Sequence, residues 1–439
     1  MTETRTKLVI IGGGFAGVTL AQQLERLLPE EAEIVVVSSE NHMVFTPMLA
    51  EVAGRTISPL HVVVPGRQLT RRTRWLVARV TAVDRDAREV HYTRMDGTAG
   101  SETYGELVLA CGAAANLREI PGLAACGFPL KSVIDAIAIG NRLIGNFETA
   151  ATETDPAIRQ RLLTTVVIGG GFSGVELAGN ISDLTDSIRC FYPELKHETP
   201  RIVLLQRGDH IVPELQARAL SEFALDKLRQ NGIDVRLKSE AKEVTPTSVT
   251  LASGEVIETG MIICTVGTQT HPLVTSLDLP LERGRLKTDP DMKVSGADHL
   301  WALGDCALIA NAYNDRPSPS TAQFAVQQAA QLAANLARFC EGRPTRPFSY
   351  RPRGMFASIG HHNAVAEIYG VKISGFVAWF LWRGLYLFKL PTLKRKIDVA
   401  INWAVSIPFP PNIVQLQRPM RDRDAGSREE TIPQQNQKP

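Results

Sequence analysis

The chain has 439 residues, 44% of them hydrophobic and 21% charged, with a formal net charge of +2. At roughly 150 residues per domain this length predicts two to four domains, each able to bury a core. The near balance of charge gives no footing for nucleic acid. No C-x-x-C occurs among the six cysteines, Cys111, Cys126, Cys190, Cys264, Cys306 and Cys340. A zinc knuckle and a dithiol motif are therefore excluded, no metal is expected, and the pattern suits buried thiols in a reducing cytosol.

The N-terminus enters an apolar strand, KLVII (7–11), with no charged n-region and h-region before it, so no signal peptide is expected. Glycines follow, then a helical pattern through Ala21, Leu24 and Leu28, then a second strand, EIVVVS (33–38). This is a βαβ unit. Leu107 to Ala110 reads as a buried strand ending in Cys111-Gly112. TTVVI (164–168) restarts the pattern and RIVLLQ (201–206) closes a second βαβ unit. MIICTVG (261–267) and HLWALGD (299–305) are further apolar strands running into glycine, and TAQFAVQQAAQLAANLARF (321–339) is an Ala/Gln-rich helix. FVAWFLWRGLYLFKL (376–390) is almost wholly apolar, but no run of 18 apolar residues exists, so a spanning helix is not expected. The polar tail from Arg418 is expected to be disordered.

IIGGGFAGVTLA (10–21) and VIGGGFSGVELA (167–178) repeat one pattern. In G-x-G-x-x-G the first glycine makes a tight turn, the second lets backbone approach a pyrophosphate, and the third lets helix and strand pack closely. The helix N-terminus then faces the anion. Gly12, Gly14 and Gly17 fit in the first copy, and Gly169, Gly171 and Gly174 in the second, each set between strand and helix. Gly13, Phe15 and Ala16, and Gly170, Phe172 and Ser173, complete the two loops. Two such loops with a late Gly304-Asp305 predict two bound dinucleotides.

This combination resembles the two-dinucleotide-binding-domain flavoproteins. The resemblance implies FAD on the first loop and NAD(P)H on the second, with Asp305 holding the flavin ribityl or phosphate and Ala110-Cys111-Gly112 as the crossover strand beside FAD. Val80 and Gly267 belong to the same expected cofactor set. One chain carrying both sites suits hydride passage from nicotinamide to flavin. Within the superfamily, NHMVFTPMLAEVA, IPGLAACGFPLKSVIDA, the second loop with Val175-Glu176, TAQFAVQQ and YRPRGMFASIGHHNAVAE followed by SGFVAWFLWRGLYL resemble type II NADH dehydrogenases over residues 6 to about 407. That resemblance implies transfer of two electrons from NAD(P)H through FAD to a membrane quinone, without proton pumping, by a homodimer peripheral to the cytoplasmic face of the membrane. It carries Thr321, Ala322 and Gln323, with Gln327 a turn later, to the flavin ring and quinone pocket. It carries Glu176 to the flavin–nicotinamide region, where a partly buried carboxyl group could relay a proton; the competing reading is a carboxylate complementing the helix dipole.

Two positions depart from the usual pattern. The acidic residue that binds a ribose at the end of the second strand is replaced in the first copy by Ser38-Ser39, with Glu40 behind them; Glu40 is favoured over Ser38. In the second copy Gln206-Arg207 stands there. Gln206 removes repulsion against a 2′-phosphate and Arg207 could pair with one, so NADPH is admitted beside NADH, with Arg207 pointing to solvent as the alternative. Residues 376–407 read either as a buried helical pair or as an interfacial anchor. The anchor is favoured, with Trp379, Trp382, Trp403 and Tyr386 at the lipid interface and Lys389, Lys394, Arg395 and Lys396 toward head groups.

The expected fold is α/β, with two Rossmann-like domains and a C-terminal membrane-associating segment. Residues 1–120 and 286–345 form the FAD domain, 121–285 the NAD(P)H domain, 346–417 the membrane and dimer region, and 418–439 the tail. Two other readings stay open. A sulfide:quinone reductase needs flavin-flanking cysteines, and none occurs from 341 to 439. A flavoprotein that senses NAD(P)H without turnover is the non-enzyme alternative.

Overall fold

The computed structural model describes residues 7–215 and 217–415; the tail 418–439 lies outside them. Strand β1 (Lys7–Ile11) runs through the first glycines into helix α1 (Phe15–Leu27) and returns as β2 (Glu33–Ser38). Four of the five β1 residues are fully or almost fully buried, as an uninterrupted Leu-Val-Ile-Ile run demands when both faces of a parallel sheet are covered. A short helix α2 (Leu49–Ala53) follows, then a three-strand meander, β3 (Arg74–Asp84), β4 (Glu89–Arg94) and β5 (Ala99–Thr103), then β6 (Glu106–Leu109).

The chain then leaves this sheet. Strand β7 (Gly127–Pro129), helix α3 (Val133–Thr152), β8 (Thr164–Ile168), α4 (Phe172–Ile188), β9 (Arg201–Leu205), β10 (Asp234–Arg236) and β11 (Met261–Cys264) build a second parallel sheet in the order β7-β11-β8-β9-β10. Strand β12 (Leu300–Ala302) goes back to the first sheet beside β6, giving the order β12-β6-β1-β2-β3-β4-β5. Helix α5 (Ala322–Cys340) covers that sheet and packs along α1.

The C-terminal part is an antiparallel sheet, β13 (Gly354–Gly360), β14 (Asn363–Ile368) and β15 (Val371–Gly375), followed by helices α6 (Phe376–Lys389) and α7 (Leu393–Ser406). Strand β13 lies on α4, and the contact is backbone to backbone. A Cβ at Gly179 would sit 2.4 Å from the Ile359 carbonyl oxygen, and one at Gly360 2.8 Å from that of Gly179. Arg55 donates from Nη1 to the carbonyls of Asn412 and Val414, tying the end of the described chain to the α2 region.

Helices α6 and α7 are a two-faced pair. Ala378, Trp382, Val399 and Trp403 are buried in one core with α2 and α4, whereas Phe376, Phe380, Phe388, Leu393, Ile401 and Val405 are exposed. The outer face is thus apolar, but the expected aromatic anchors turn the other way. Trp382 and Trp403 are 1% and 5% exposed, and Tyr386 meets Trp382 edge to face with ring centroids 4.9 Å apart. Arg395 is also withdrawn, donating to the Val63 carbonyl at 2.9 Å and pairing with Asp398. An amphipathic helix hides its largest rings wherever a core can take them, and burying an indole gains more than leaving it at the surface. No described helix is long and apolar enough to cross a membrane. Thiol burial is only partial as well, since Cys190 and Cys340 are exposed.

Candidate functional site

The first glycine loop gathers three distant segments. Gly12 has φ +119°, and a Cβ there would lie 2.2 Å from the Ala110 carbonyl oxygen; only glycine allows both. A Cβ at Gly17 would meet the Gly12 carbonyl at 1.9 Å, the close packing expected of the third glycine. Gly13 lies against the Ser38 hydroxyl, and Gly304 against Ala16. So the first loop, the strand end at Ala110-Cys111-Gly112 and the Gly304-Asp305 turn meet at one place. Gly14 caps α1 without a side-chain hydrogen bond, and nothing lies within 4 Å of where its Cβ would be. The unsatisfied N–H groups of that helix end suit a pyrophosphate. Burial pushes the Asp305 carboxyl above its ordinary range, against the opposing pull of Lys131 and Arg285.

Ser38 is buried at the end of β2 and its hydroxyl accepts from the Glu40 N–H at 3.3 Å, whereas Ser39 and Glu40 are exposed. Val80 lies in β3, three residues beyond the partner of Ser38, Val77. Thr321 caps α5 by accepting from the Phe324 N–H, and Ala322 and Gln323 form its first turn. Gln323 donates to the Tyr350 hydroxyl at 2.7 Å. Gln327 is half-buried, but its neighbour Gln328 is the one that holds the site together. Gln328 is 2% exposed and accepts from the Gly304 N–H at 2.9 Å, fixing the turn that carries Asp305.

The second loop repeats the backbone. Gly169 has φ +115°, and a Cβ at Gly174 would meet the Gly169 carbonyl at 1.8 Å. Ile168 pairs with Leu205 as Ile11 pairs with Val37, so Gln206 occupies the place of Ser38. The Gln206 side chain is engaged within the fold: its Oε1 accepts from the Gly170 N–H at 3.1 Å and its Nε2 donates to the His210 carbonyl at 3.0 Å. Arg207 is exposed and, among the described residues, pairs with Glu240 at 3.8 Å. Phe172 and Ser173 open α4, Ser173 exposed. At that helix end the Glu214 carboxylate lies beside Gly171, 2.8 Å from a Cβ there, and accepts from the Phe172 N–H. Gly267, φ +69°, accepts from the Asn116 N–H in the crossover where Thr268-Gln269 pair with Ala115-Ala114.

Glu176 faces inward from the second turn of α4. It is 9% exposed and its Oε1 accepts from the Ser358 N–H of β13 at 3.1 Å. Desolvation, helped by the charge of Glu51, raises its pKa to about 8, so the group holds its proton at neutral pH. A neutral, inward-facing acid does not serve the helix dipole. Tyr386 is near enough that the Glu176 charge adds to the burial that pushes its phenol up. Phe15, Phe45 and Tyr386 form a chain of rings, with centroids 5.6 and 6.0 Å apart, from the first glycine loop to α6.

Two residues were missed by sequence reasoning. Glu51, the one carboxylate in the apolar PMLAEVAG stretch, is 5% exposed beside Trp403 and Arg383. Cys306 is buried beside the expected site residue Cys111, its thiol donating to the Leu109 and Leu303 carbonyls. No group of three or more metal-ligating side chains occurs among the described residues.

Residues 6–329 match the pyridine nucleotide-disulphide oxidoreductase family, and residues 353–409 match the NDH2 C-terminal domain. The demethylphylloquinone reductase of Synechocystis sp. is 31% identical over 92% of this chain and 96% of its own length. A type II NADH:quinone oxidoreductase of Mycobacterium tuberculosis is 29% identical over 92% of this chain and 88% of its own. In fold the chain resembles NDH2 of Plasmodium falciparum, solved with NADH, at a TM-score of 0.86 and 18% identity over 93% of this chain and 100% of that one. With the first family model covering residues 6–329 and the second 353–409, the chain belongs to the pyridine nucleotide-disulphide oxidoreductase family, in its type II NADH:quinone oxidoreductase branch.

Proposed function

We propose that the chain passes two electrons from NADH, or NADPH, to a lipid-dissolved quinone, with Glu176 as the group that delivers a proton to the quinone. FAD on the first loop would supply the two-electron carrier between the two substrates. Gly12, Gly14 and Gly17 would let the α1 N-terminus take its pyrophosphate, Asp305 would hold its polar chain, and Gln328 fixes the turn that carries Asp305. The second loop and Gln206 shape the nicotinamide dinucleotide seat. Residues 1–120 and 286–345 serve FAD, and 121–285 serve NAD(P)H. Residues 346–415 bring the apolar face of α6 and α7 to the lipid surface, where the protein works as a peripheral homodimer on the cytoplasmic face.

The observation that carries this reading is the burial of Glu176 where two regions join: it sits on the helix of the second loop, yet its Oε1 accepts from the Ser358 N–H of the C-terminal sheet. Burial, with the charge of Glu51 added, raises its pKa to about 8. An acid with a pKa near the working pH is an effective donor. Since Glu176 must be protonated to donate, the quinone step should be fastest below about pH 8 and decline as pH rises through that value. Glu176→Gln should retain flavin and its reduction by NADH but slow anaerobic reoxidation by quinone about 100-fold. An unchanged reoxidation rate would overturn the assignment.

A further inference from the structure

Glu51 is buried in α2, the five-residue helix packed against both α3 and α4. One of its oxygens, Oε1, accepts from the Trp403 indole at 3.1 Å, with Arg383 Nη2 at 3.9 Å. The other, Oε2, is buried with no hydrogen-bond partner among the described residues, and so is Arg383 Nε. The Arg383 guanidinium lies over Trp379 and Trp403, 4.1 and 4.6 Å from the ring centroids.

This is not how a structural ion pair is built. A buried Arg–carboxylate pair offsets its desolvation only when both oxygens are engaged, typically bidentately, and orphaned buried polar atoms are rare. Here the cation is held at a distance by two indoles and half of the carboxyl group is left open. That arrangement tolerates both protonation states: Oε2 can carry a proton without breaking a bond, and Arg383 with the Trp403 N–H can accommodate the charge when the proton leaves. The other titratable groups facing the pair are Glu176 and Asp183 of α4, Asp183 being matched by His361 at 3.1 Å, and Tyr386 of α6 beside Glu176. Burial raises Glu51 to about 7 against the pull of Arg383, and its charge in turn raises Glu176. Helices α2 and α4 pack directly on each other, so the open oxygen of Glu51 and the carboxyl group of Glu176 belong to adjoining elements of one buried seam.

We propose that Glu51 is the proton-holding partner of Glu176, refilling it between turnovers. The overall reaction, NAD(P)H + H⁺ + quinone → NAD(P)⁺ + quinol, takes one proton from water beyond the hydride. Glu176 gives that proton to the quinone oxygen and becomes a carboxylate. Glu51 passes its proton to Glu176, its own carboxylate is held by Arg383 and Trp403, and water then reprotonates it. The inference rests on the reading of Glu176 as donor. Glu51 is a positioning residue for that proton, not a group in contact with substrate.

The test uses the FAD-loaded full chain and a water-soluble quinone analogue. Glu51→Gln keeps volume and an acceptor for Trp403. After anaerobic reduction with NADH at about pH 6, below the shifted limb, its first quinone turnover should run at the native rate, because Glu176 still carries its proton. Steady-state kcat should fall about tenfold with KM for quinone unchanged, the alkaline limb of the quinone step should move down by roughly one pH unit as a negative neighbour is lost, and Glu51→Asp should recover much of kcat. A native kcat and pH profile in Glu51→Gln, or a first turnover slowed as much as the later ones, overturns the proposal. Should Glu51→Gln not fold, Trp403→Phe removes the bond that favours the Glu51 anion, so less negative charge stands beside Glu176 and the same limb should move downward; no movement again overturns it. If Glu176→Gln turns quinone over normally, the donor reading itself fails. If Glu176→Gln is slow and Glu51→Gln is not, only the refilling role fails.

Discussion

The two glycine loops make the same close backbone contact in different surroundings. In both, the third glycine touches the carbonyl of the first, at 1.9 Å from a Cβ in one and 1.8 Å in the other. At the first, the helix end at Gly14 faces open space; at the second, the Glu214 carboxylate already sits on the helix N-terminus. Helix α1 continues into the core of its own sheet, with Thr19 half-buried. Helix α4 carries Glu176 at the equivalent place and presses it against the C-terminal sheet. A phosphate-binding scaffold can therefore be copied whole, while what it does is decided one turn later and by whichever loop lies across its mouth. A tightly held cofactor suits the open seat. A cosubstrate that must come and go suits the seat with a resident anion.

Alanine at the matched third glycines should break this comparison most sharply. Gly17→Ala should yield protein purified without flavin, seen by the loss of the visible flavin absorbance. Gly174→Ala should stay yellow yet be reduced by NADH on the order of 100-fold more slowly, because an ångström of misplacement suffices for that. If both lose flavin alike, the loops do not have separate duties. A middling effect is expected at the strand ends. Among the described residues Arg207 has a distant, exposed partner in Glu240, so Arg207→Ala should lower kcat/KM for NADPH about fivefold, ~1 kcal/mol, and leave NADH unaffected. Equal loss with both donors would show that Arg207 does not read the 2′-phosphate. The smallest change should come from Glu214→Gln. Removing an anion from a helix N-terminus relieves competition worth a few tenths to one kcal/mol, so KM for NADH should fall about threefold with kcat unchanged. A rise in KM would mean that Glu214 helps to bind the dinucleotide.

Both loops were legible because everything that makes them is local: an apolar strand, glycines at fixed spacing, a helix. The seam between Glu176 and Glu51 was not. Trp403 is 352 residues from Glu51 and Ser358 is 182 from Glu176, and no spacing rule reaches so far. Nor does composition say which face of a helix keeps its rings. The tryptophans of α6 and α7 suggested a lipid interface, but the core took Trp382 and Trp403 and left phenylalanine and aliphatic side chains outside. Gln327 and Gln328 show the same limit at single-residue scale. Both belong to a legible helix, but only packing decides that Gln328 turns to the Gly304 N–H.

Gly179 and Gly360 have no side chains to cushion their contact, so α4 and the C-terminal sheet meet backbone to backbone. A side chain at either position would push the sheet off the helix that bears both Glu176 and the second glycine loop, and with it the Ser358 N–H off the Glu176 carboxyl group.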